Sequence, residues 1–291
     1  MGHAICGTTE SAKHWLNWSC SGLVICVIIH GIFLFSHAVV SIYLIPRTFS
    51  SKLFRVVSTV VFELYGVMAQ WSQLKCMCTD PGTVPSNASP LPTATDEERM
   101  RMCVKCNHFK PPRAHHCSEC GRCIVKMDHH CPWINNCVGI ANTKFFILFL
   151  FYTFVFCVIA VFVSVSFYIH RLTVETESYP LMLASAVVIF CGFFFAIFTL
   201  IMFVDIISVV RSGVTGIDEL KGMKTVSTAY NACAEVFGGK GSFQWNWLFP
   251  LDPSWKDKDE LFGFCIIDPT RESVSISESE WTVENSFCVC W

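Results

Sequence analysis

Four stretches of the chain lack the alternation of polar and apolar positions that a water-facing helix or strand shows. Ser21 to Pro46 carries no Asp, Glu, Lys or Arg, and Leu53 to Leu74 contains only Arg55 and Glu63. Phe145 to Ile169 and Leu181 to Val204 contain no formal charge at all. At ~1.5 Å per residue, each is long enough to cross a hydrocarbon layer of roughly 30 Å as a helix. The pattern predicts an all-α integral membrane protein with four transmembrane helices. A polar, Cys-rich loop separates the second from the third.

Composition agrees with that reading. The 291 residues are 53% hydrophobic, 14% aromatic and only 15% charged, outside the range of an ordinary soluble domain. The net charge is −2, and no basic arm with interleaved aromatics is present, so nothing points to nucleic acid. No apolar core precedes Leu23, so the first span is expected to act as the membrane signal.

Charge sets the expected orientation. Eight Lys/Arg lie between Arg99 and Lys144, whereas the segment between spans three and four has Arg171 beside Glu175 and Glu177. The positive-inside rule places the Cys-rich loop, and with four spans both termini, in the cytosol. Reduced thiols fit that compartment. The resulting division is 1–20 cytosolic N-terminus, 21–76 helices one and two, 77–102 turn and linker, and 103–139 Cys-rich domain. It continues with 140–210 helices three and four, 211–269 membrane-associated C-terminal segment, and 270–291 disordered tail. Thr79-Asp80-Pro81-Gly82 is a turn signature, and 83–98 (TVPSNASPLPTATDEE) is Pro/Ser/Thr-rich and reads as a linker. Phe243, Trp245, Trp247, Phe249 and Trp255 make 211–264 too apolar for a free tail, so it should dock on the membrane face or the Cys-rich domain.

The candidate chemistry is in residues 103–139, CVKCNHFKPPRAHHCSECGRCIVKMDHHCPWINNCVG, which hold seven of the 18 cysteines. Cys103-x2-Cys106-x9-His116-x6-Cys123 recurs as Cys117-x2-Cys120-x9-His130-x6-Cys137, displaced by 14 residues. Three Cys and one His per set are what tetrahedral zinc requires, and the sets share no residue. Two structural zinc sites are therefore expected. A further shift of 14 lands on Cys131, whose partners would be Ile134, Lys144 and Phe151, none of them a ligand. Cys131 is left without a metal. It follows Asp128, His129 and His130, of which the repeat assigns only His130 to zinc. A carboxylate, an imidazole and an uncommitted thiol are the parts of an activated nucleophile, with Asp128 orienting His129 and His129 taking the thiol proton.

Blander readings stand beside these. Cys131 could be a spare thiol in a structural module, Asp128–His129 a loop-stabilising pair, and the whole a zinc-module membrane scaffold without chemistry. Glu63, His30 and His37 could mark a transport pathway, but they form no evident relay and read as helix-to-helix hydrogen bonding. A zinc hydrolase is disfavoured because both predicted sites are closed by four protein ligands. Cys76 and Cys78, just past the second span, are either acylated or unmodified. Cys288 and Cys290 lie in a CVCW run that matches a prenylation box poorly.

The segment 103–139 resembles the cysteine-rich domain of the Asp-His-His-Cys (DHHC) protein S-acyltransferases, or palmitoyltransferases. Asp128-His129-His130-Cys131 followed by Pro132-Trp133 carries the resemblance. Asp80-Pro81-Gly82 matches the family's DPG motif, and Asn231 with Val236-Phe237-Gly238 its C-terminal Asn-containing motif. The family's Thr-Thr-x-Glu motif after the last span is altered here to Thr215-Gly216-Ile217-Asp218, with Glu219 following. The resemblance implies transfer of a long-chain acyl group, palmitoyl, from acyl-CoA to cysteines of membrane-associated proteins through an acyl-enzyme on Cys131. It implies Lys110, Arg113 and His115 at the CoA phosphates and Trp133 against the start of the chain. It also implies Phe156 near the end of the acyl cavity. A bulky residue there implies chains of roughly fourteen to sixteen carbons rather than eighteen, each buried CH₂ contributing ~0.8 kcal/mol. Members with a similar run through the motif are often Golgi enzymes, which implies that location.

Overall fold

The computed structural model describes residues 15–171, 179–222 and 229–266. Among the described residues, four helices are long and apolar enough to cross a membrane: Cys20–Thr48, Lys52–Met77, Thr143–Arg171 and Tyr179–Ser212, called spans 1 to 4. Each extends past the uncharged stretch that predicted it, because polar residues continue the helix beyond the apolar layer. Ser51 starts span 2 as an N-cap, its hydroxyl accepting from the Phe54 amide at 3.4 Å. Span 1 contains a π-helical segment, Ala38–Leu44.

Span 3 is the centre of the bundle, with 61% of its apolar stretch buried against 33%, 22% and 22% in spans 1, 2 and 4. The large apolar side chains left exposed on the outer spans, such as Val57, Leu64, Phe190 and Phe193, suit a hydrocarbon surrounding. Polar side chains between spans pair locally. His30 Nδ1 lies 2.8 Å from the Cys26 carbonyl one turn back. His37 Nδ1 lies 2.7 Å from Glu63, joining spans 1 and 2.

Against one end of the bundle sits a module of three two-stranded antiparallel hairpins. They are β2–β3 (Met102–Cys103 with His108–Phe109), β4–β5 (Ala114–Cys117 with Arg122–Val125) and β6–β7 (His129–Cys131 with Asn136–Val138). Their registers repeat every 14 residues: Cys103 faces His108, Cys117 faces Arg122, and Cys131 faces Asn136. The tip of each hairpin carries a left-handed residue at the equivalent position, Asn107 (φ 58°), Gly121 (φ 65°) and Asn135 (φ 47°). Asn and Gly are the residues that adopt this conformation at least cost. The 14-residue repeat is thus a repeat of folded units, three and not two.

The segment 83–98 is more than a linker. Its β1 (Ala88–Ser89) pairs antiparallel with β8 (Cys265–Ile266), closing the chain around the module. A capping box between Thr95 and Glu98 starts a short helix, Asp96–Arg99. Val84, Phe109, Val125, Ile140, Phe262 and Phe264 form the core beneath. The Asp80 carboxylate accepts from the Gly82 and Thr83 amides at 2.8 and 2.7 Å, making the tight turn that leaves span 2. Gly82 has φ +103°, and a Cβ there would come within 2.6 Å of Ile140.

The C-terminal segment docks on both the bundle and the module. Buried Lys144 donates to the carbonyls of Asn246 and Leu251 at 2.9 and 2.8 Å. Phe237 stacks on Trp247 at 4.7 Å. Trp255 donates to the Glu235 carbonyl at 2.8 Å. Asn231 lies in the helix Ala229–Phe237, but its side chain is outside the described residues, as are Cys288, Cys290 and the whole 270–291 tail.

Candidate functional site

Strand alternation sorts the site. Adjacent residues of a strand face opposite ways, so His116 and Cys117 on β4 go to different clusters. One cluster is Cys103, Cys106, His116 and Cys123, the other Cys117, Cys120, His130 and Cys137, with ligand atoms within 4.8 Å of one another in each. His116 Nδ1 is 3.1 Å from the Cys106 sulfur, and the Cys106 and Cys123 sulfurs are 3.8 Å apart. In the second cluster His130 Nδ1 is 3.4 Å from Cys120, which is itself 3.4 Å from Cys137. Sulfurs on a tetrahedral zinc at ~2.3 Å would be about 3.8 Å apart, so both donor sets fit such an ion. The Cys106 and Cys120 amides point back at the Cys103 and Cys117 sulfurs, at 3.5 and 3.4 Å, as ligand-bearing turns do.

The same alternation acts on β6. His130 faces the second cluster, so His129 and Cys131 face the other way, towards the bundle. Cys131 is 2% exposed and packs among Cys26, Cys76, Ile134, Val138 and Phe146. His129 Nδ1 lies 2.8 Å from the Asp128 carboxylate, and its ring meets Phe146 edge-on at 5.5 Å. Nε2 is buried without a hydrogen-bond partner among the described residues. Burial disfavours a charge on this ring, but the Asp128 carboxylate and the Cys131 sulfur outweigh it and raise its pKa to about 10. His129 therefore holds its proton at neutral pH.

Polar side chains that the sequence reading did not single out fix this third hairpin. Fully buried Asn136 donates to the carbonyls of Cys76 and Thr79 at 3.0 and 2.9 Å, and accepts from the Trp15 indole at 2.9 Å. Asn135 donates to the Asn17 carbonyl at 2.6 Å. Gln73 of span 2 donates to the Trp133 carbonyl at 3.0 Å. Asn142 donates to the Cys137 carbonyl and accepts from the Gly139 amide, at 2.8 and 2.9 Å. The available signal was three Asn flanking Cys137 in an otherwise apolar run. Cys76 is fully buried with its sulfur 3.7 Å from the Asn142 carbonyl, whereas Cys78 is exposed.

The altered motif after span 4 is closed on itself by hydrogen bonds. The Asp218 amide donates to the Thr215 hydroxyl at 3.2 Å, and the Thr215 amide returns to the Asp218 carboxylate at 3.3 Å. Asp218 itself receives Arg113 through Nε and Nη2, at 3.1 and 2.8 Å, and His115 at 3.1 Å. Burial alone would raise this carboxyl, but the hydrogen bonds from His115 and Arg113 hold it below its ordinary range. The Gly216 amide approaches the Asp128 carboxylate at 3.4 Å, linking the segment to the residue that precedes the third hairpin.

The residues expected at the CoA phosphates are only partly together. Arg113 and His115 share Asp218, and His115 is buried, with Lys221 2.9 Å from its Nδ1. An ammonium on Nδ1 and a carboxylate on Nε2 describe a neutral ring. Burial lowers its pKa, only partly offset by Asp218. His115 is thus engaged on both nitrogens and does not stand as a surface cation. Lys110 follows β3, half-exposed, and adds to the positive charge around His115.

Trp133 and Phe156 line one apolar cavity between spans 1, 3 and 4. Trp133 and Phe149 belong both to this wall and to the apolar surroundings of Cys131. Trp133 is held against Phe195 and Phe198, at 6.1 and 5.4 Å between ring centres. Cys131 and the apolar cavity thus have Trp133 and Phe149 as common neighbours.

A family model described as DHHC palmitoyltransferase matches residues 96–223. The chain is 38% identical over 211 residues to probable protein S-acyltransferase 12 of Arabidopsis thaliana, covering 66% of this chain and 72% of that one. It is 31% identical over 262 residues to palmitoyltransferase ZDHHC3-A of Danio rerio, covering 82% and 80%. With palmitoyltransferase ZDHHC3 of Homo sapiens it shares 33% identity over 226 residues, 71% and 73% of the two chains.

Proposed function

The chain belongs to the DHHC palmitoyltransferase family, and on that premise we propose that it moves a palmitoyl group from acyl-CoA to cysteines of membrane-associated proteins, with Cys131 as the carrier. The observation that carries this reading is the third hairpin, which turns Cys131 and His129 to the bundle while its neighbour His130 joins a metal cluster.

In the first half-reaction the Cys131 sulfur attacks the acyl-CoA thioester carbonyl. The new C–S bond forms as the bond to CoA breaks, and His129 gives its proton to the departing CoA sulfur. In the second half an incoming cysteine loses its proton to His129 and attacks the Cys131 thioester, which returns the Cys131 sulfur to its starting state. Asp128 holds the ring through Nδ1 so that Nε2 serves both transfers. One thioester is exchanged for another, so a labile covalent intermediate suffices.

Two zinc ions are the metals this reading assigns to the clusters, held by Cys103, Cys106, His116, Cys123 and by Cys117, Cys120, His130, Cys137. They hold the hairpins in place; with four protein ligands each, neither leaves a position open to substrate. Lys110 and Arg113 meet the CoA phosphates. His115 we assign a positioning role, carrying Lys221 towards the same face. The acyl chain lies in the apolar cavity from Trp133 towards Phe156, and Phe156→Ala should move the acyl-CoA preference to longer chains in a competition assay. The Cys-rich module and both termini face the cytosol, at a Golgi membrane.

The test is reconstitution of the full chain in lipid nanodiscs with palmitoyl-CoA and a lipid-anchored, cysteine-bearing peptide. Release of CoA with thioester labelling of the peptide is expected. Neither CoA release nor labelling would favour the scaffold reading instead.

A further inference from the structure

One wall of the acyl cavity, at Phe156, is backed by an ionisable pair that the transfer chemistry does not use. Phe156, about 20 Å along span 3 from its first residue at ~1.5 Å per residue, lines the cavity with one edge of its ring environment. Three rings surround it. Phe62 stacks on it at 4.5 Å and 18°, while Phe33 and His37 each lie 5.0 Å away. His37 also contacts Phe62 at 5.6 Å.

His37 is not a passive member of this group. Its Nδ1 is 2.7 Å from the Glu63 carboxylate and its Nε2 is 3.2 Å from the Gln70 amide, so span 2 fixes the ring from two points. The Ser41 hydroxyl donates to the other Glu63 oxygen. The helix opens into its π-segment directly after His37, and the Ile45 amide reaches back five residues to the Val40 carbonyl. Such wide turns are rare and occur often at functional sites. Acidic and basic groups inside a hydrocarbon layer are costly and persist where they are paired and serve a role.

Gly66 of span 2 makes the arrangement possible. A Cβ at that position would lie 2.2 Å from His37 Cε1 and 2.9 Å from Phe156 Cε2. The space taken by the two rings is therefore the space a side chain at 66 would fill. Anything that adds volume there must push Phe156 into the cavity, and anything that removes or frees His37 lets Phe156 withdraw.

We infer that the His37–Glu63 pair, seated on Gly66, is a specificity device that sets the position of the Phe156 ring and hence the length of acyl chain the enzyme accepts. The inference rests on the palmitoyl-transfer reading and names three positioning residues for it, none of which touches the reacting atoms.

The experiment is competitive labelling of full-length protein with an equimolar mixture of myristoyl-, palmitoyl- and stearoyl-CoA, read as the mass distribution on Cys131. His37→Ala should raise the stearoyl share several-fold over wild type. Glu63→Gln, which keeps the volume and removes the charge, should move it the same way by less. Gly66→Ala should move it the opposite way, towards myristoyl. Opposite shifts are a signature that a merely structural role would not produce. If Glu63→Gln melts with wild type, still takes palmitoyl and keeps the wild-type distribution, the inference is overturned while the transfer reading stands. If wild type itself takes no acyl chain on Cys131, the transfer reading falls and the inference with it.

Discussion

The first two hairpins and the third share one backbone and differ in what they hold. All three repeat at 14 residues, with the same register and a left-handed residue at the same place. The first two each open a closed set of three thiols and an imidazole, completed by the His and Cys of the hairpin that follows. The third keeps the leading cysteine, Cys131, but has Ile134 in place of the second, and the remaining two positions fall on Lys144 and Phe151 of span 3. A sulfur that four-fold coordination would render inert is thereby left for chemistry. The third closes the second set through His130 and Cys137, while its own leading thiol faces the bundle instead of a metal. Asn136, Asn135 and Gln73 tie the hairpin to span 2 and to the segment before span 1. The difference teaches that a reactive thiol can be made from a structural repeat by deleting its metal and replacing the anchor.

Metal removal should break that comparison most completely. Structural zinc contributes about 10–16 kcal/mol of apparent folding free energy in small zinc-dependent peptides. A strong chelator should therefore loosen all three hairpins, whose ligands make up the two clusters, and abolish acylation together, followed by tryptophan fluorescence and CoA release. Loss of metal with undiminished acylation would separate the hairpins and contradict the account.

Removing the acid–base pair should act on the third hairpin alone. His129→Ala should slow acylation of Cys131 by about 10²–10⁴, with metal content unchanged. The raised pKa gives a sign for pH. A group lifted from 6.5 to about 10 contributes stability that is fully present below 6.5 and lost as pH rises through 10. Wild-type acylation should thus keep its protonated His129 through neutral pH, and Asp128→Asn should bring the loss down towards neutrality. A pH–rate profile for the two proteins decides it.

The buried Asp218 anchor should matter next. Removing one partner of a buried, hydrogen-bonded pair costs about 3–5 kcal/mol, so Asp218→Ala should lower the melting temperature through unpaired Arg113 and release Gly216 from Asp128. The replacement anchor itself should matter on a similar scale. Asn136→Ala strands the Trp15 indole and two carbonyls, at about 1–3 kcal/mol each for a buried group left unsatisfied. It should slow acylation without loss of metal. An Asn136→Ala protein indistinguishable from wild type in melting and rate would show that the hairpin needs no such tie.

Much of this was legible in the residues. Uncharged stretches give spans because the hydrocarbon layer sets a length, and the ligand spacing gives the clusters because zinc sets a number. Cys131 stood out by subtraction. The strand alternation that turns His129 and Cys131 one way and His130 the other required only that the run be a strand, which short, Cys-rich segments do not announce. The role of Asp218 was obscured because the altered motif lacks the expected second Thr and the longer acid. Its contacts with Arg113 and His115 span about a hundred residues, which no local pattern reveals. The same holds for β1 pairing with β8 and for His37 meeting Glu63, where partners come from different spans. Local periodicity predicted elements; pairings between distant elements emerged only in three dimensions.

The most direct test of the central claim is intact-mass analysis of the metal-loaded protein after brief exposure to palmitoyl-CoA, for wild type and Cys131→Ser, with metal content measured on the same samples. The account predicts one hydroxylamine-sensitive palmitoyl group on wild type, none on Cys131→Ser, and two zinc ions in both. An equal gain in the mutant, or a zinc lost with Cys131, would contradict it.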